Sequence, residues 1–219
     1  MRFFLLLLFI ISPHLKAQDW DKYNSSLLIE VTRESGIYTC SGVAVSRQTI
    51  LTAAHCLEGK IIKTRVFTEE LYDPKNEGWE IRQFELHPSY DPGFSFYQFD
   101  IAKIYLKKRL PSFINIYPTY KGINQKGRII RVGFGKRNGE NIRTLVIPIL
   151  KNVNHKNGLL ELYDENSFSG DSGGPIFITI DNQIFLIGIH STLSFGPEGK
   201  FSLNPLLSHE GEWISSKCN

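Results

Sequence analysis

Three cysteines in 219 residues are too few to staple a fold together, so the chain must bury a hydrophobic core of its own. Long apolar stretches are scarce as well. The longest, Phe3 to Ile11, covers nine residues, about half of the roughly 20 that a helix needs to cross a bilayer, and it reads as something other than an anchor. No sign of charge dominates: 25 Lys and Arg stand against 22 Asp and Glu, for a formal +3. That balance makes no electrostatic case for nucleic acid or a membrane surface as partner, and the short basic run Lys107-Lys108-Arg109 reads as solvated loop charge. With no repeat, no low-complexity tract and no long linker, the chain reads as one domain or as one domain of two packed halves.

What is present begins with an export pattern. Met1-Arg2, the apolar run and then Ser12-Pro13-His14-Leu15-Lys16-Ala17 have the order of a signal peptide, with cleavage expected before Gln18. Residues 1–17 would be removed, leaving a domain of 202 residues, 18–219, with a formal charge of +1. Disulfides persist in an exported chain. Cys40 and Cys56, 16 apart and flanking a strand-like segment, are the expected pair, and closing a loop of that length contributes roughly 3 kcal/mol in the chain-entropy model. Cys218, next to the C-terminus, is left as a free or intermolecular thiol.

After Gln18 come many short runs rich in Ile, Val, Leu, Phe and Tyr, punctuated by Gly, Pro, Asn and Asp. Leu27 to Thr32, Gly42 to Val45, Ile61 to Thr68, Ile101 to Leu106, Arg128 to Phe134, Leu145 to Leu150, Pro175 to Ile180 and Ile184 to His190 all read as strands. Without helical periodicity between them, they predict an all-β sandwich or barrel. One helix is expected at the end, over Pro205 to Ser216, where Leu206, Leu207, Trp213 and Ile214 fall on one face.

Three segments carry chemistry. In Gly170-Asp171-Ser172-Gly173-Gly174-Pro175 a serine sits on a turn whose glycines let the backbone approach a substrate and aim N–H groups at a developing oxyanion. The same residues also suit an ordinary β-turn. They fit the Gly-x-Ser-x-Gly elbow of α/β-hydrolases too, but only 47 residues follow Ser172 and no strand–helix alternation precedes it. The second segment is Leu51-Thr52-Ala53-Ala54-His55-Cys56. A lone histidine beside an apolar strand is ordinarily a packing residue; here Cys56 can tether the ring, and a general base needs fixed geometry. The third is Phe99-Asp100-Ile101-Ala102, an aspartate opening a strongly β run, which taken alone is a strand-edge turn residue.

Taken in order, these segments resemble the trypsin and chymotrypsin family of serine peptidases. Cys40-Ser41-Gly42-Val43 with Thr52 to Cys56 is similar to its histidine region, and His87-Pro88-Ser89-Tyr90-Asp91 followed by Asp100-Ile101-Ala102 to its aspartate region. Val132-Gly133-Phe134-Gly135, Gly170 to Pro175 and Leu186 to Ser191 complete five ordered motifs. The resemblance implies two packed antiparallel β-barrels with the active site between them. It further implies Ser172 as nucleophile, His55 as base, Asp100 as the residue that orients the base, and the Gly170 and Ser172 amides as oxyanion hole. His87 is expected to be a surface or packing residue.

The chain also departs from that family. Asn166, six residues before Ser172, stands at the floor of the implied specificity pocket where a trypsin-like enzyme carries aspartate, unless Asp164 or Glu165 takes the place. Phe168 replaces a usual cysteine. Asp171 would pair with a freed α-amino group in many relatives, yet no Ile-Val-Gly-Gly-like start occurs between Gln18 and Cys40; either the signal-cleaved terminus or an internal partner must serve it. Ser167, His190, Ser191 and Leu193 complete the substrate-binding set. The Gly188-Ile189-His190 stretch resembles glutamyl endopeptidases, in which a histidine here and a hydroxyl at the Ser167 place receive a glutamate carboxylate. The competing reading makes His190 a packed strand residue, with Leu193 narrowing the pocket for small or medium apolar side chains. Protein or peptide substrates, no cofactor, no metal, no nucleic acid, no membrane anchor and a secreted monomer are the corresponding expectations. A non-catalytic secreted binding protein on a peptidase scaffold and an esterase with the same triad are the alternatives.

Overall fold

The computed structural model describes residues 21–93, 97–120, 123, 127–197 and 199–216. The expected signal peptide, residues 1–17, and Cys218 lie outside them. Strands β1 (Ser26–Arg33), β2 (Gly36–Ala44), β3 (Thr49–Thr52), β4 (Lys63–Phe67), β5 (Trp79–Leu86) and β6 (Ala102–Leu106) close into an antiparallel barrel in the order β1-β2-β3-β6-β5-β4. Its interior holds Leu27, Ile29, Val31, Ile50, Val66, Ile104 and Leu106, all buried.

The second half comprises β7 (Arg128–Gly133), β8 (Lys136–Arg137), β9 (Glu140–Asn141), β10 (Thr144–Val146), β11 (Ile149–Asn154), β12 (Leu159–Tyr163), β13 (Pro175–Ile180), β14 (Gln183–Ile189), β15 (Thr192–Gly196) and β16 (Gly199–Pro205). Two four-stranded sheets, β10-β7-β13-β14 and β11-β12-β16-β15, form its body, and the bridge Gly188↔Leu206 joins them. The fold is the expected all-β, chymotrypsin-like pair of barrels. The first sheet of this half is covered on both faces. Ile130, Val132, Phe177, Leu186 and Ile189 pack with Val43, Leu51 and Ile101 of the first barrel, whereas Ile129, Ile176, Ile178 and Ile187 pack with Leu160, Leu162 and Leu206. Burial on both faces is why Arg128 to Phe134, with Arg131 as its one internal charge, and Pro175 to Ile180 read as apolar runs and not as alternation.

The expected strand Leu145 to Leu150 is two strands, β10 and β11, since Ile147-Pro148 separates them and proline donates no ladder hydrogen bond. The C-terminal helix is also shorter than its pattern. Pro205 still pairs with Leu159 in β16, Leu207–His209 is a 3-10 turn, and α1 covers Gly211–Ser215. The end is tied down by a buried lysine: Lys103 Nζ donates to the Trp213 carbonyl and Ser216 Oγ at 3.0 Å each, and its ammonium lies 4.3 Å from the Trp213 ring. His87 is a packing residue as expected, stacked on Phe99, edge-on to Trp213 and 2.9 Å from the Glu210 carboxylate.

Candidate active site

Strand register brings His55 and Asp100 together. Thr52 is paired with Ala102 across β3 and β6, so the residues three beyond Thr52 and two before Ala102 leave the barrel side by side. His55 sits on the 3-10 turn Ala54–Cys56, and the Cys40–Cys56 disulfide ties that turn to β2. Asp100 receives the backbone N–H of His55 at 2.8 Å on Oδ1 and faces ring Nδ1 at 2.7 Å with Oδ2. The aspartate therefore fixes both the backbone and the ring, leaving Nε2 as the outward nitrogen. Ser191 Oγ also donates to Asp100 Oδ2, which makes Ser191 a partner of the aspartate.

Ser172 comes from the second half, on a turn that grips the first barrel. The Ser41 N–H donates to the Ser172 carbonyl at 2.7 Å, Ser41 Oγ donates to the Gly170 carbonyl at 2.7 Å, and the Phe134 N–H donates to Ser41 Oγ at 2.8 Å. Gly173 has φ +84°, and a Cβ there would stand 2.2 Å from both the Ser41 carbonyl oxygen and Thr52 Oγ1. Only glycine fits that approach. Ser172 Oγ donates to the Ser191 carbonyl at 3.5 Å, a weak contact that leaves the hydroxyl able to turn. Its bond to His55 is not formed among the described residues. Both side chains face one cleft of about 400 Å³, shared with Glu58, Tyr90, Asp91, Thr192 and Leu193.

Electrostatics suit proton transfer. Burial alone would depress the His55 pKa, but the Asp100 hydrogen bond and charge outweigh it and raise the pKa. Burial would raise that of Asp100, whereas its bonds to His55 and Ser191 hold it below the ordinary carboxylate value. Asp171 takes the Phe168 carbonyl as acceptor for its own N–H at 3.0 Å, and the Gly174 N–H donates to the Asp171 carbonyl. Among the described residues the neighbouring amides of Gly170 and Ser172 donate to no protein acceptor, the condition an oxyanion site requires. Cys40, His55 and Cys56 cluster closely enough to suggest metal ligands, but both sulfurs are joined in the disulfide and Asp100 engages His55 Nδ1.

The specificity residues are only partly brought together. His190, fully buried, faces Ser167 Oγ with Nε2 at 2.7 Å and Asn204 Oδ1 with Nδ1 at 3.1 Å. Asn204 donates its own N–H groups to the Leu160 carbonyl and Ser202 Oγ. Its Oδ1 is therefore an acceptor, Nδ1 of His190 carries the proton, and Nε2 accepts from Ser167. Burial, with the Arg131 charge nearby, pushes the His190 pKa down to about 4, so the ring is neutral at pH 7. Asn166 is exposed, and its carbonyl accepts from Arg131 and Arg137. Leu193 lines the cleft. Arg131, Arg137 and Asn204 escaped the sequence reading as site residues, and Ser41 entered it only as part of the Cys40 to Val43 motif; Asn204 had no local signal, but the arginines flank the Val132 to Gly135 motif.

A two-barrel fold with a serine, a histidine and an aspartate at the junction of its halves defines a peptidase-like scaffold, and sequence comparison agrees. Residues 18–202 match the family described as Trypsin, and the chain belongs to that family. It is 31% identical over 209 residues to coagulation factor IX of Cavia porcellus, covering 80% of this chain and 71% of that protein. It is 25% identical over 207 residues to chymase of Rattus norvegicus, covering 84% of this chain and 81% of that protein. To chymotrypsin-like elastase family member 1 of Bos taurus it is 24% identical over 189 residues, covering 73% and 70%.

Proposed function

We propose that the protein is a secreted serine endopeptidase in which Ser172 attacks the scissile carbonyl, His55 takes its proton and returns it to the leaving amine, and Asp100 orients and stabilises the imidazolium. The observation that carries this reading is the pair of hydrogen bonds from His55 to Asp100, with Ser172 on the facing wall of the same cleft. The Gly170 and Ser172 amides, which donate to no acceptor among the described residues, support an oxyanion hole, each donor contributing about 3 to 4 kcal/mol to the transition state. The disulfide supports an oxidising compartment, and no helix of the described residues is long and apolar enough to cross a membrane. Replacement of Ser172 by Ala tests the reading: peptide and ester hydrolysis should both disappear while the fold persists. Loss of ester hydrolysis with no peptide cleavage by the wild type would favour an esterase. No hydrolysis by the wild type at all would favour a binding protein.

For the residue on the acyl side of the cut, the pocket favours an uncharged side chain. A substrate carboxylate at Ser167 would meet the lone pair of His190 Nε2 unless a proton came with it, and Asn166 supplies no negative charge for a basic residue. Cleavage of a mixed peptide library at pH 8 and pH 5 separates the possibilities. Uncharged residues should lead at both pH values; a glutamate preference that grows at pH 5 and vanishes in His190→Gln would overturn this specificity.

A further inference from the structure

Asp171 lies between the two amides assigned to the oxyanion site, and its side chain is wholly buried. A carboxylate there requires charged or hydrogen-bonding partners, and it has them within the folded domain. The Gly135 N–H donates to Oδ1 at 2.7 Å and the Phe168 N–H to Oδ2 at 2.9 Å. Two guanidiniums complete the set: Arg131 Nη1 is 3.2 Å and Arg137 Nη2 3.1 Å from Oδ2. Gly133 and Gly135 make the space, since a Cβ on either would lie within 2.6 Å of the carboxylate.

The same arginines hold the segment leading to the turn. Arg131 pairs through Nε and Nη2 with Asp164, also fully buried, and its Nη2 donates to the Asn166 carbonyl at 3.1 Å. Arg137, from the β8–β9 hairpin, donates to the Asn166 carbonyl at 2.9 Å and lies 4.7 Å from the Phe168 ring. Two cations and two carboxylates thus balance, and they join residues 164, 166, 168 and 171 to β7 and β8.

We propose that Arg131 and Arg137 are positioning residues that hold the 170–172 turn through Asp171, so that the folded domain sets the turn without an α-amino group from a cut N-terminus. The kinetic part of this proposal rests on Ser172 being the nucleophile; the structural part does not. Burial would raise the Asp171 pKa, but Arg131 and Arg137 hold it below the ordinary carboxylate value, so the clamp stays charged throughout the neutral range.

The test compares the wild type, a form with ten extra residues ahead of Gln18, Arg137→Ala and Arg137→Lys; Arg137 is chosen because its side chain is partly exposed, so its loss leaves the core intact. Hydrolysis of a peptide ester and deuterium uptake of peptides covering 168–174 are the readouts. The extension should change kcat less than about twofold. Arg137→Ala should lower kcat about tenfold or more, within the ~10²-fold that misplacement of a catalytic group costs, with a smaller change in KM. It should also raise uptake at 168–174, and Arg137→Lys should recover part of both. Wild-type uptake in Arg137→Ala, or an extension that lowers kcat as far as that variant, would overturn the proposal. A wild type that hydrolyses nothing would instead refute the peptidase reading, and uptake alone would then judge the clamp.

Discussion

Gly173 shows how narrowly single residues hold the site. The left-handed φ costs about 1–2 kcal/mol for any residue with a Cβ, and here that Cβ would collide with a backbone oxygen of the opposite barrel. Gly173→Ala should therefore destabilise the protein by at least about 2 kcal/mol, read as a lower urea midpoint. Burial disfavours the charged form of both His55 and His190, but Asp100 reverses the shift at His55. His55 must be neutral to act as base, and its pKa is raised above the ordinary 6.5. Hydrolysis should therefore fall on acidification with a midpoint above 6.5, and a midpoint near 5 would contradict the His55–Asp100 pairing. For stability, His55 contributes fully below 6.5 and loses that contribution as pH rises through its raised value. His190 runs the other way: depressed from 6.5 to about 4, it contributes stability above 6.5 that is lost as pH falls to about 4, on the order of 3 kcal/mol. His190→Gln should flatten the urea stability profile between pH 4 and 6.5.

At the scale of elements, legibility in the sequence follows burial. The strands covered on both faces, β7, β13 and β14, stand out as apolar runs, and β1 and β6 as nearly so. β5 was missed because its pattern changes phase: Trp79 and Ile81 face the barrel core, then a register shift between Ile81 and Gln83 turns Phe84 and Leu86 inward. A bulge breaks the alternation by which a strand is read. β12, β15 and β16 are short or half-buried, and β15 and β16 carry turn residues such as Ser194, Gly196 and Asn204 that interrupt the apolar pattern; of their pairings only that of β12 with β16 joins distant segments. In the site, the residues on glycine turns or beside the tether cysteine were legible. Arg131 looked like one charge in a strand, because nothing local reveals that Asp164 and Asp171, 33 and 40 positions away, converge on it. The disulfide belongs to this scale too. Cys40→Ala with Cys56→Ala should lower stability by about 2 to 5 kcal/mol and reduce kcat more than it raises KM, since it frees the turn carrying His55.

Across the whole molecule, the site depends on the docking of two halves that each supply part of it. Ser41 of β2 donates two hydrogen bonds to the 170–172 turn and accepts one from Phe134, Ser191 of the second half supports Asp100 of the first, and the shared apolar layer of Val43, Leu51, Ile101, Val132, Phe177 and Ile189 holds them in register. Loosening that docking should cost activity before it costs secondary structure. The central claim, that Ser172 is a nucleophile activated by His55, is tested most directly by an aryl phosphonofluoridate, which traps activated serines covalently. After reaction and peptide mapping by mass, one adduct should be found on the peptide containing Ser172, absent in Ser172→Ala and formed at least about 10²-fold more slowly in His55→Ala. An unlabelled Ser172, or labelling that proceeds equally fast without His55, would contradict it.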